Sequence, residues 1–406
     1  MNCDRPRHRA LRHARSLTAA ALMLAAVSST AACAASNTQT PPAAPASPGP
    51  PSNTVQVATT YVTPHDAGTI QQRFDAANQL LRDARYRDAA AAFDGIVELE
   101  PNGPFVAASL FDAGFAWEQA EDRNAALERY REVVRKFPSG PEARSSLIRA
   151  TRILSWTEDW KQLSAYADML LARSDLSPIE QVEANGARAL GLVETGDLDG
   201  AMLSIGKART VIEEQGWGQV AQPPVATSQV FFALGEVRRI KGERIVFSPL
   251  PANFGEVLEE RCQALLDAQD AYAEAMRSHD PHWAAMAGYR VGQLYQQLHR
   301  DVIGISPPPS AKTDKQKQLF EGAMQLRYRV LLEKGLQMMD KTVQMAAATG
   351  ENSAWVHRAR EAKRDLEQAL QAVKDSLAKL PYSEADLRRA LDGLGGKKPD
   401  GVTGSP

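Results

Sequence analysis

The sequence predicts an all-α fold: an elongated α-solenoid of helix-turn-helix repeats, closed by a long C-terminal helical hairpin and preceded by a signal peptide and a disordered linker. Three observations predict it. From Ile70 onward apolar residues recur at helical steps of three and four. Small residues, aromatic rings and prolines return at fixed offsets, the mark of stacked helix pairs. Near the C-terminus, Trp355, Ala359, Ala362, Leu366, Leu370, Val373 and Leu377 form a nearly heptad seam without a proline.

Composition bounds the function. The 406 residues are 44% hydrophobic and 24% charged, with aromatics at 6%, which excludes a polytopic membrane protein and a wholly disordered chain. Lys and Arg number 47 against 49 Asp and Glu, a net charge of −2, so the basic surface that nucleic acid demands is missing. Cys3, Cys33 and Cys262 stand in unrelated contexts and build no disulfide framework.

The elements follow in order. Residues 1–32 read as a signal peptide: Arg5, Arg7, Arg9, Arg12 and Arg15 precede the apolar run Leu17 to Val27, and small residues follow. That run is too short to span a bilayer, which needs about 20 residues. Thr30-Ala31-Ala32-Cys33 resembles the lipobox of bacterial lipoproteins, departing from it at Thr30, where Leu, Val or Ile is usual. The resemblance implies cleavage before Cys33, lipidation of that cysteine and, with Ala34 after it, an outer-membrane address facing the periplasm. Ordinary cleavage at Ala32-Cys33-Ala34, giving a soluble periplasmic protein, is the alternative. Removing residues 1–32 takes away five Arg and one Asp, so 42 basic residues face 48 acidic ones and the exported chain carries about −6. Residues 33–66, with Pro41, Pro42, Pro45, Pro48, Pro50 and Pro51 among Ala, Ser and Thr, read as an extended tether that cannot form a core.

Repeats fill 67–215. A unit from Ile70 carries Ala89, Phe93 and Pro101; one from Ala107 carries Gly114, Trp117, Ala126, Tyr130 and Pro138 at the same spacing. This resembles the tetratricopeptide repeat, a unit of about 34 residues with small residues at positions 8 and 20, aromatics at 11 and 24 and proline at 32. Two helices approach closely only where a small residue meets a ring, so Gly114 is expected against Tyr130, with proline ending each second helix. Weaker copies run from 144 to about 177, with Trp160, Leu163 and Leu170, and from 182 to 215, with Ala189, Ala201 and Ala208. Residues 216–306 read as degenerate pairs with insertions, marked by Leu234-Gly235, Ala268, Tyr272, Ala275, Val291-Gly292 and Tyr295; about six pairs fit. Residues 307–380 form the long hairpin, favoured over a coiled-coil surface because a solenoid's last apolar face needs a cap. Residues 381–406 give a short helix and a flexible tail.

No G-x-x-x-x-G-K-[ST], H-E-x-x-H or G-x-S-x-G occurs. Gly216-Trp217-Gly218 imitates a dinucleotide fingerprint, but no strand pattern precedes it and Pro223-Pro224 blocks the helix that would hold a pyrophosphate. His279-Asp280-Pro281-His282, with His299 or Cys262, reads as a capped turn rather than a metal site. Cys262 reads as a small buried hydrophobe. Glu259, Glu260, Asp267 and Asp270, and Glu361, Asp365 and Glu367, share helices with Arg261, Lys363 and Arg364, as on a solvated face. The expectation is therefore a non-enzymatic protein with no catalytic residue, metal, cofactor, nucleic acid or small-molecule substrate.

In the repeat family, positions 2, 5, 9 and 12 of successive units line a concave groove. The resemblance places Phe74, Asn78 and Leu81, then Phe111, Phe115 and Glu118, then Ile148 and Arg152, on that face. Two phenylalanines suit an apolar or amphipathic partner segment better than a C-terminal carboxylate, for which family members use Lys and Asn. Packing against the preceding unit is the competing role for both rings. Tyr289-Arg290-Val291-Gly292-Gln293-Leu294-Tyr295 and Pro307-Pro308-Pro309 also look like parts of large tetratricopeptide proteins of gliding deltaproteobacteria. That likeness implies a scaffold or adaptor, with other envelope proteins as partners, in a motility or envelope-transport assembly of a Gram-negative cell. An outer-membrane-protein assembly accessory, or a cell-wall or metal-dependent hydrolase, are the alternatives.

Overall fold

In the computed structural model, residues 69–251 and 253–394 are described. The expected leader, the tether and Cys33 lie outside them, as does the tail beyond 394. The described residues form helices α1 (Ile70–Arg82), α2 (Tyr86–Leu99), α3 (Val106–Gln119), α4 (Arg123–Lys136), α5 (Pro141–Trp156), α6 (Trp160–Leu171), α7 (Pro178–Glu194) and α8 (Leu198–Glu214). After a short 3₁₀ turn come α9 (Ala226–Glu243), α10 (Phe254–Met276), α11 (Pro281–Ile303), α12 (Asp314–Thr349), α13 (Ala354–Lys379) and α14 (Glu384–Leu394). No strand occurs among the described residues.

Local chemistry explains the boundaries. Each of the first four pairs turns through a left-handed residue, Ala84, Glu121, Glu158 or Gly196, at φ of +56°, +64°, +59° and +96°. In the last three pairs an aspartate follows, and Asp122, Asp159 and Asp197 accept from a backbone N–H in the first turn of the second helix. These turns fall 37 or 38 residues apart, longer than the 34 of the family pattern because the loops between pairs are longer. Glu100 and Phe137 cap α2 and α4, and Pro101 and Pro138 stand immediately beyond them. Pro178 instead opens α7 at its first position, where a missing N–H costs nothing.

The pairs stack in sequence order. Gly114 lies so close to the second helix that a Cβ on it would fall 2.7 Å from the Tyr130 ring, and Gly235 is held the same way by Tyr272 at 2.5 Å. Ala89, Ala126 and Ala201 are fully buried where their helices touch, beside Phe93 and Tyr130. A separate cluster joins α1, α2 and α3. One larger apolar cluster continues from Ala126 to Val356, across both loops at which the sequence changes character.

Two expectations change. Helix α12 is both an arm of the hairpin and the second helix of the sixth pair, since Gly292 meets Met339 and Gly288 meets Thr342. Arg261 does not sit on a solvated face: it is 1% exposed and pairs with Asp301 at 3.3 Å. The reason is Gly242, whose missing side chain leaves room for the guanidinium between α9 and α10. Leu380, just after α13, and Leu387 of α14 close on Gly322, so α14 is docked on α12.

Candidate functional site

The first helices of the early pairs carry the predicted groove residues, and the structure divides them. Phe74 is wedged between Phe93 and Phe105, with ring centroids at 5.6 and 5.2 Å, so it spends most of its surface on packing. Asn78 turns its amide back to the Phe74 carbonyl at 3.1 Å, and Leu81 lies on the same apolar cluster. Phe111 rests on Tyr130 at 5.9 Å and stays half-buried, as does Phe115. Ile148 packs with Leu147, Leu170 and Ala184, while Arg152 is exposed and forks onto Glu183 of α7 at 2.5 and 2.9 Å.

Charge is threaded between these rings. The Tyr130 hydroxyl donates to Glu118 at 2.7 Å, and Arg149 of α5 donates to both Glu118 oxygens at 3.2 Å. The Arg149 guanidinium lies 4.4 Å over Phe115, an arrangement in which the ring face attracts the cation. Burial, followed by the charge of Glu118, holds the Tyr130 hydroxyl above its usual range, so it stays a donor. Asp112 faces Glu142 of the next first helix, and burial and that like charge push its carboxyl up to about 6.

Further along, the first helices are covered by the protein itself. Trp355, near the start of α13, is 3% exposed and packs against Phe232 of α9 at 6.3 Å and Tyr289 of α11 at 5.6 Å. Arg290 lies 5.1 Å over its ring. One turn on, Arg358 forks onto Glu158 at the turn between α5 and α6, with distances of 2.7 and 3.0 Å. His282 stacks on Trp156 at 4.0 Å and faces Glu351 at 3.3 Å, and Arg123 covers Trp156 from α4. Burial pulls the His282 pKa below its usual value against the opposing pull of Glu351.

Beneath Trp355 sits a buried charge cluster. Glu236 is fully buried; it accepts from Tyr272 at 2.6 Å and pairs with Arg239 at 2.6 Å and Arg290 at 2.8 Å. Burial works against its charge, but the two arginines and the hydroxyl overcome that and hold its pKa below the usual value. Glu194, 3.7 Å from Arg290, is pushed up to about 7 by burial and by Glu236. Sequence reasoning missed this cluster, because Glu236 and Arg239 read as ordinary surface charges of a helix. The repeat of the Gly114 and Tyr130 pairing at Gly235 and Tyr272 was the available signal.

At the turn between the fifth and sixth pairs, Asp280 accepts from the Trp283 N–H and Pro281 opens α11, which is the capped turn expected there. Cys262 lies half-buried beside the main cluster, and burial raises its thiol pKa. Among the described residues no three of these His, Cys, Asp or Glu side chains converge as a metal site. The loops after α9 and α11 enclose a cleft of about 640 Å³ with Phe247, Leu250, Arg300 and Pro308 in its wall.

No family model matches the sequence, and no curated protein matches it. Similar solved structures include a tetratricopeptide repeat protein from Parabacteroides merdae, 12% identical with a TM-score of 0.40, covering 76% of this chain and 97% of that one. Another is the TPR domain of P58(IPK), 12% identical with a TM-score of 0.24, covering 75% and 99%. With their stacked helix pairs, and Gly114 on Tyr130 repeated by Gly235 on Tyr272, the described residues form an all-α solenoid of helix pairs.

Proposed function

We propose that the chain is a non-enzymatic scaffold that binds a segment of a partner protein along α3 and α5, and that it works in the cell envelope of a Gram-negative bacterium. One observation carries the binding reading: Phe111 and Phe115 of α3 stay half-buried, whereas the first helices of the later pairs are covered by Trp355. A half-buried aromatic strip edged by charge suits an amphipathic segment. The envelope reading rests on the leader and on Thr30-Ala31-Ala32-Cys33, which support export and a lipid anchor at Cys33. Two or more acyl chains anchor stably, at about 0.8 kcal/mol per buried CH₂.

The test is a photo-crosslinking residue placed at Phe115, with one at Leu203 on α8, which is well exposed, as the control position. A discrete adduct from Phe115 alone supports the reading, and its identity separates a motility or transport assembly from an outer-membrane-protein assembly accessory. Equal adducts from both positions, or none, sink it. Release of muropeptides by the purified protein would favour a cell-wall hydrolase instead. Loss of membrane association in Cys33→Ala tests the anchor.

A further inference from the structure

The first helices carry one construction twice, and only one copy is covered. Counting from Ala107 and from Ser228, so that Gly114 and Gly235 share a position, Phe111 and Phe232 also share one. Each ring lies on the tyrosine of its own pair, Phe111 on Tyr130 at 5.9 Å and Phe232 on Tyr272 at 5.5 Å. Each tyrosine donates to a glutamate on the first helix, Glu118 or Glu236. Each glutamate pairs with an arginine from a later first helix, Arg149 or Arg290.

The cover differs. Over the later copy α13 lays Trp355, and Phe232 is 1% exposed. Over the earlier copy no helix of the described residues lies, and Phe111 remains half-buried with Arg149 at 6.0 Å. Charge is also unmatched there. Glu121, at the turn after α3, is exposed; its counterpart one pair later, Glu158, is the residue that Arg358 of α13 grips. Asp112, midway along α3, and Glu142, in the first turn of α5, add negative charge nearby. Helix α13 is the molecule's own example of such an occupant, an aromatic residue with an arginine one turn later, its Trp355 set on the fifth pair and its Arg358 on the turn of the third.

We propose that the second pair is an open copy of this site, and that its occupant is a helix of a partner protein presenting an aromatic side chain to Phe111 and Phe115 and a basic side chain to Glu121. This rests on α3 and α5 being the interaction surface and names the chemistry of what binds there. Aromatic contact with the two rings supplies the anchor, and the acidic residues beside them set charge preference.

The probe is a synthetic peptide of residues Ala354–Lys379, labelled and titrated against the full chain by fluorescence anisotropy. The peptide should bind, at least tenfold more weakly when it carries Trp355→Ala and several-fold more weakly with Arg358→Glu. In the chain, Phe111→Ala should weaken binding tenfold. Because Phe111 also packs on Tyr130, Glu121→Lys serves as the second variant: it lies on an exposed turn, should leave the melting temperature unchanged, and should weaken binding several-fold. Absence of binding overturns the proposal, as does binding indifferent to both chain variants or to the Arg358→Glu peptide. If the crosslink from Phe115 persists while the peptide fails to bind, the scaffold reading stands and this one falls.

Discussion

At the scale of single residues, the glycines divide into those that hold helices together and those that do not. A Cβ at Gly114 or Gly235 would press into a tyrosine ring at 2.7 or 2.5 Å, whereas one at Gly206 in α8 would meet no atom within 4 Å. Gly114→Ala and Gly235→Ala should therefore each cost about 1–3 kcal/mol, and Gly206→Ala should add up to about 1 kcal/mol. Denaturant unfolding of the three variants checks this, and a neutral Gly114→Ala would remove the close-approach account. Glu194 supplies a second case. Its pKa is raised to about 7 by burial and Glu236, with Arg290 and Arg239 opposing. Between the ordinary carboxylate value and 7 the folded state keeps a proton the unfolded chain has released, so stability falls as pH rises through that window. Glu194→Gln should stabilise the protein at pH 8 by up to about 3 kcal/mol and change little at pH 4. A pH-independent effect would mean that the environment of Glu194 is misassigned. The small residues and Tyr130 were legible because packing demands them at fixed spacing. Asp112, Glu194 and Glu236 were not, since a charge shows its burial only once its neighbours are in place.

At the scale of elements, the turns explain more than the helices do. Glu121 and Glu158 accept a left-handed backbone without being glycine, at φ of +64° and +59°, and in each case the following aspartate caps the next helix. Glu158 does further work, because Arg358 of α13 forks onto it from 200 residues away in sequence. Both side chains are partly exposed, at 38% and 25%, so solvent screens the pair and its coupling should be about 1 kcal/mol or less. A double-mutant cycle of Glu158→Gln and Arg358→Gln, followed by thermal unfolding, should return a coupling of that size. A coupling of zero would leave the docking of α13 to Trp355 and the seam on α12. The seam of α13 was readable from its near-heptad spacing, and that seam packs on α12. That its first turn also covers Phe232 was not readable, since Trp355 belongs to the same periodic pattern as Ala359 and Leu366.

At the scale of the whole molecule, stability should be uneven. Helices α1 and α2 share a small cluster with α3, whereas the pairs from α4 to α13 share one large cluster, tied further by contacts between distant pairs. Each pair of a solenoid gains stability from its neighbours, and an end pair has only one. Native-state hydrogen exchange should find α1 and α2 opening at lower free energy than α7 to α11, by about 2 kcal/mol or more. Uniform protection along the chain would contradict that. The sequence alone determined the helical class, the order of the pairs and the place of Gly114 against Tyr130, because period, turn chemistry and small-to-large packing are local properties written every few residues. The tertiary structure alone decided that α12 serves both a repeat and the hairpin, that Arg261 and Glu236 are buried, and that Trp355 covers Phe232 while Phe111 stays half-buried. Those outcomes depend on which surfaces meet across separations from 36 residues for Tyr272 and Glu236 to 200 for Arg358 and Glu158, and the stacking of the pairs, rather than any local pattern, sets that meeting.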